Sequence, residues 1–132
     1  MVKPGDILLP LEQEFFTRVL AHIGSLEEEV LLFVYLDRAG ALIGDELIAG
    51  GTKCSHGIGY RRLFEKAFKR GAAALVLAHN HPSGSAEPSR QDISSTRALR
   101  ALAIPMQMDL VDHLIVSSRA VFSMRAAGLL SD

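Results

Sequence analysis

Seven consecutive apolar residues, VLLFVYL from Val30 to Leu36, constrain the fold most. A strand with one wet face alternates apolar and polar side chains. This run is apolar on both faces and rich in β-formers, so it reads as a central strand buried on both sides. A second run, AAALVLA over residues 72 to 78, is ambiguous by periodicity alone. Its length and the Gly71 before it favour a second buried strand.

The remaining segments supply what such strands need around them. In LEQEFFTRVLAH, residues 11 to 22, Leu11, Phe15, Val19 and His22 fall about one helical turn apart, and Phe16 and Leu20 widen the stripe. Asp37 to Gly40 reads as a hairpin turn into a paired strand, ALIGDELIAG. Gly50 to Gly59 is a glycine-rich loop. YRRLFEKAFKRG then sets Leu63, Phe64, Ala67 and Phe68 on one helical face, with Gly71 just past its end. Residues 82 to 88 hold two prolines and a glycine and read as loop. Ser89 to Ala103 reads as a helix that stops before Ile104-Pro105. Residues 107 to 117 and 119 to 124 read as two last strands. The order is helix, strand, strand, helix, strand, helix, strand, strand. It predicts one layered α/β or α+β domain over residues 1–132.

Composition narrows the function classes. The net charge is -1 and the pI about 6.5, not the basic balance of a nucleic-acid-binding domain. A local basic patch remains at Arg61, Arg62, Lys66, Lys69 and Arg70. Arg62, Lys66 and Lys69 can share one side of their helix, which reads as a solvated face rather than a DNA site. The lone Cys54 cannot form an intrachain disulfide, and no Cys-x-x-Cys pattern exists. The N-terminus shows no signal-peptide pattern, and no run of about 18 apolar residues occurs. The expectation is a cytoplasmic protein without a membrane segment.

The chemistry concentrates in AHNHPSGSAEPSRQD, Ala78 to Asp92. Strand residues i and i+2 share a face, so His79 and His81 can converge on one point. Zinc takes neutral imidazole nitrogens, and a third ligand is available in Asp92, in the first turn of the next helix. Two histidines and one carboxylate leave a fourth position for water, the arrangement of a catalytic zinc rather than a structural one. Asp92 has a competing role. Ser89-x-x-Asp92 has capping-box spacing, and taken alone that reading is the stronger, although a helix start can still aim its carboxylate at a metal. His22, His56 and His113 read as ordinary satisfied polar residues.

A zinc hydrolase also needs a base. The candidates are Glu27, Glu28 and Glu29. Glu29 is best placed, because it opens the buried strand and partial burial would raise its pKa toward a useful range. Glu27 and Glu28 read as a solvated cluster.

Glu29, then His79-Asn80-His81-Pro82, six residues, Ser89, two residues and Asp92 resemble the JAMM (MPN+) metalloprotease motif. HNHPSG, with Gly51-Thr52, YRRLFEKAFKRGAAALVLA and Asp112-His113-Leu114-Ile115-Val116, is more closely similar to the JAB-type domain of RadC proteins. The resemblance covers roughly residues 10 to 125. It implies a JAB/MPN fold like that of cytidine deaminases, with a central mixed β-sheet flanked by helices. It implies His79, His81 and Asp92 as zinc ligands, Glu29 as general acid/base and Ser89 as an oxyanion donor. The implied activity is hydrolysis of peptide or isopeptide bonds, with a peptide or protein as substrate. Zinc deaminases carry His-x-Glu and Pro-Cys-x-x-Cys, and neither is present here. RadC proteins typically add an N-terminal helix-hairpin-helix segment, which is not expected within these 132 residues. Nucleic acid therefore enters through the family name alone, against the charge. The competing expectation is a binding module that keeps the metal for structure and recruits a protein or nucleic acid.

Overall fold

The computed structural model describes residues 4–7, 13–49 and 58–130. Leu11 of the first expected helix, Cys54, His56 and Gly51-Thr52 lie outside the described residues. The elements are α1 (Gln13–Ile23), β1 (Val30–Leu36), β2 (Leu42–Ala49), α2 (Ile58–Lys69), β3 (Ala74–Asn80), α3 (Arg90–Ala103), a 3₁₀ turn (Ile104–Met106), β4 (Asp109–Val116) and β5 (Val121–Ser123). Every expected element forms, in the expected order. Helix α2 starts two residues earlier than its apolar stripe indicated, and β3 runs on through His79 and Asn80.

The strands form one mixed sheet in the order β2-β1-β3-β4-β5. Strand β1 is antiparallel to both β2 and β3, β3 is parallel to β4, and β4 is antiparallel to β5. The parallel pair requires a crossover, which α3 supplies. All seven residues of β1 and all seven of β3 are buried, as runs apolar on both faces demand.

Strand parity divides the core in two. Val30, Leu32, Val34, Val76 and Ala78 pack on one face beneath Phe15, Val19 and Ile23 of α1. Leu31, Phe33, Tyr35, Leu75 and Leu77 pack on the other beneath Leu63, Phe64 and Ala67 of α2 and Leu99 of α3. Each fully buried side chain of this size contributes about 1.5–3 kcal/mol. Gly24 lets α1 end close to the sheet. A Cβ there would lie 2.8 Å from the Ser117 carbonyl oxygen and 2.5 Å from that of Leu20.

Two expectations about α2 change. Phe68 is 66% exposed rather than in the core, because it follows Phe64 onto the flank beside Leu102 and Met106, where no element among the described residues covers it. Lys66 does not belong to a solvated basic face. It donates to Glu46 of β2 at 2.6 Å, and Glu46 also accepts from the Tyr35 hydroxyl at 3.3 Å. Among the described residues no helix is long and apolar enough to cross a membrane.

Candidate metal centre

Three ligand-type side chains meet at the carboxyl end of β3, beside its parallel neighbour β4. His79 Nε2 and His81 Nε2 are 2.9 Å apart. Asp92 brings Oδ1 to 3.4 Å from the first and Oδ2 to 3.3 Å from the second. Among the described residues this is the one group of three such side chains whose ligand atoms converge, all within 4.8 Å. His81 lies one residue past β3, yet its N–H still bonds the Val116 carbonyl at 2.7 Å. The backbone therefore stays extended long enough for both rings to share a face.

Asp92 fills both roles considered for it. Its backbone N–H donates to Ser89 Oγ at 3.0 Å, and its Oδ2 accepts from the Ser89 N–H at 2.8 Å, which completes a capping box at the start of α3. The same carboxylate faces both imidazoles. The cap aims the carboxylate rather than competing with it. Ser89 stands exposed at the cap, and accepting from Asp92 leaves its own hydroxyl proton able to donate.

Hydrogen bonding fixes which nitrogen of each ring carries the proton. His81 Nδ1 lies 3.0 Å from the Ser85 carbonyl, which can only accept, so Nδ1 is the donor. His79 is set by a longer chain. Thr96 Oγ1 donates its one proton to the Asp92 carbonyl at 2.6 Å. Thr96 can then only accept from His113 Nδ1, also at 2.6 Å. His113 Nε2 therefore carries the lone pair and accepts from His79 Nδ1 at 2.7 Å. Both ligand-side Nε2 atoms consequently present lone pairs to the same point, next to a carboxylate.

Burial reinforces that state. It pushes His79 down to about 4 and His113 well below the ordinary imidazole range, because neither charged form can be hydrated there. Asp92 pulls His79 back up and His81 pushes it further down. Glu29 moves the other way. Partial burial raises its carboxyl above the usual value, His81 opposes the rise, and Asp92 adds to it. The β1–β3 register ends at Leu31 and His79, so Glu29 lies two residues before the last β1 residue paired with β3 and just outside the strand. Glu27 and Glu28 are exposed. Glu29 is thus within electrostatic reach of His81 and Asp92.

Sequence reasoning missed the residues behind the ligands. His113 was expected to be satisfied and unremarkable. It is satisfied, but one of its two partners is His79. The available signal was a polar Asp-His pair inside the apolar strand DLVDHLIV. Asp112, also buried, accepts from the His113 and Arg125 N–H groups at 2.7 and 3.0 Å and from the Ser123 hydroxyl at 2.5 Å. It thereby ties β5 and the turn beyond it to β4. His22 is exposed in the last turn of α1, remote in sequence and element from the cluster.

The profile of the RadC-like JAB domain family matches residues 12–129. The chain is similar to a UPF0758 protein of Variovorax paradoxus, 43% identical over 109 residues, which is 83% of this chain and 48% of that one. A UPF0758 protein of Bordetella petrii is 38% identical over 130 residues, 98% of this chain and 54% of its own length. One of Pelodictyon phaeoclathratiforme is 34% identical over 118 residues, 89% and 53%. The chain thus spans about half the length of the curated relatives it matches.

Proposed function

The chain belongs to the RadC-like JAB domain family, and from that premise we propose that it is a zinc-dependent hydrolase of peptide or isopeptide bonds. The observation that carries this reading is the donor set. Two imidazole lone pairs, directed by their own hydrogen bonds, and a carboxylate face one point, and like partial charges so arranged call for a cation between them. Two nitrogens and an oxygen suit zinc, whereas magnesium and calcium take oxygen ligands.

When bound by His79, His81 and Asp92, zinc supplies Lewis acidity that acidifies water and polarises a carbonyl. The protein's own groups do the rest. Glu29, raised by burial and within electrostatic reach of His81 and Asp92, takes the proton of the attacking water and hands it to the leaving nitrogen. Ser89, exposed at the start of α3, offers its hydroxyl proton to the carbonyl oxygen as charge develops there.

The test pairs metal content with activity. Protein purified without chelators or immobilised-metal columns is expected to hold about one zinc per chain. Glu29→Gln is expected to keep that zinc and to lose roughly 10²–10⁴ in the rate of peptide hydrolysis. Zinc retained by both proteins with no hydrolysis by either would favour a binding module.

A further inference from the structure

The residue between the two histidines faces the other way, and its contacts lead to Glu29. Asn80 is fully buried, on the side of the sheet covered by α1. Its Oδ1 accepts from the Val30 N–H at 2.7 Å. Its Nδ2 donates to the Glu28 carbonyl at 2.9 Å and to the Leu26 carbonyl at 3.3 Å. The Glu28 carbonyl belongs to the peptide unit before the Glu29 Cα, and the Val30 N–H to the unit after it. One side-chain amide therefore pins both peptide planes that meet at Glu29. Because a residue has only two soft backbone dihedrals, fixing both planes fixes the direction of its Cα–Cβ bond.

From this geometry we infer that Asn80 is the positioning residue for Glu29. The inference rests on the reading of Glu29 as the proton carrier. The tripeptide His79-Asn80-His81 then has two outputs. On one face it presents the metal donors, and on the other it sets the backbone from which the acid/base projects. The residue type follows from the task, since one acceptor and two donors are needed in a short planar group. Aspartate lacks the donors, and serine has one donor only.

Asn80→Ser keeps part of the bonding and so favours a folded protein. It is compared with wild type, Glu29→Gln and the double variant, all loaded with zinc. Zinc affinity by chelator competition is expected to stay within about threefold, since no ligand or ligand partner is altered. Amide exchange is expected to accelerate over residues 26 to 31 and to stay unchanged in β4. With a mixture of peptides as substrate, kcat is expected to fall about 10²-fold with little change in KM, the usual cost of misplacing a reacting group by about 1 Å. Adding Asn80→Ser to Glu29→Gln is expected to lose nothing more. Additive losses, or faster exchange throughout the sheet in step with lost activity, would show an ordinary structural role and overturn the inference. If wild type hydrolyses none of the peptides, the hydrolase reading fails, and the exchange measurement alone decides the positioning. Acceleration confined to residues 26 to 31 then sustains it, and unchanged exchange there overturns it.

Discussion

Thr96 Oγ1 lies 2.6 Å from His113 Nδ1 and the same distance from the Asp92 carbonyl, and its single proton goes to the carbonyl. That hydroxyl sets the direction of the chain that ends at the His79 lone pair. Thr96→Val keeps the shape and removes the proton. His113 then either leaves a buried N–H unpaired, at about 1–3 kcal/mol, or reverses its tautomer and with it that of His79. We expect zinc to bind about 10–100-fold more weakly, the usual cost of losing such a partner. Thr96→Ser should restore both affinity and stability. Competition with a chromophoric chelator and thermal unfolding read the two effects, and a valine variant with wild-type affinity would show that the chain directs nothing.

Much of the site was legible because its rules are local. The parity of His79 and His81 follows from strand alternation, and the aim of Asp92 from capping-box spacing to Ser89. The buried runs of β1 and β3 declared a covered sheet for the same reason. What stayed hidden was set by partners distant in sequence. Lys66 turns to Glu46, twenty residues away, His113 to His79, thirty-four away, and Asn80 to Val30, fifty away. No periodicity within one segment encodes these pairings, because strand order and register decide them. Phe68 misled for the same reason. A helical stripe shows which residues could be buried, while the reach of the neighbouring helix decides which are.

Ser89 and Asp92 can be separated by paired substitutions. Asp92→Asn keeps an oxygen to accept from the Ser89 N–H but removes the negative charge facing the histidines. We expect stability to change little and zinc affinity to fall by at least about 10–100-fold, the loss seen for more remote partners. Ser89→Ala should do the reverse, costing about 1 kcal/mol of stability through the lost cap while leaving most of the affinity. Equal loss of affinity in both variants would mean that the Ser89 hydroxyl, and not the Ser89 N–H that bonds Oδ2, is what holds the carboxylate in place.

Acid should destabilise the metal-free protein early. Burial depresses both His79 and His113, so the folded state resists protons that the unfolded chain accepts near pH 6.5. Their contribution is full above that value and is lost as pH falls toward their folded pKa values. Each group costs about 1.4 kcal/mol per pH unit once its unfolded form is protonated. Glu29 and Asp112, both raised, act in the opposite sense, but only nearer the carboxylate range. Between pH 7 and about 5 the histidines dominate. Urea titrations across that interval should show the decline, and bound zinc should delay it, since metal holds both the imidazoles and the carboxylate deprotonated. A flat profile in the metal-free protein would mean that one of these rings is charged in the native state.

Gly84 offers a test of how His81 is aimed. The loop folds back so that the Gly84 N–H bonds the His81 carbonyl at 3.0 Å, and the next residue presents its carbonyl to His81 Nδ1. Gly84 makes this turn at a φ of +97°, a region that side-chain-bearing residues avoid. A Cβ at Gly84 would meet nothing within 4 Å. The effect of Gly84→Ala is therefore backbone strain without a clash, about 1–3 kcal/mol if the turn is kept. The chain can relieve that strain by opening the turn, which withdraws the Ser85 carbonyl and frees the His81 ring to rotate. We expect lower zinc affinity with the sheet intact, and Ser83→Ala, nearby but uninvolved in the turn's bonds, should leave affinity unchanged. Destabilisation of Gly84→Ala with undiminished zinc binding would locate the control of His81 elsewhere, in the bond from its own N–H to Val116.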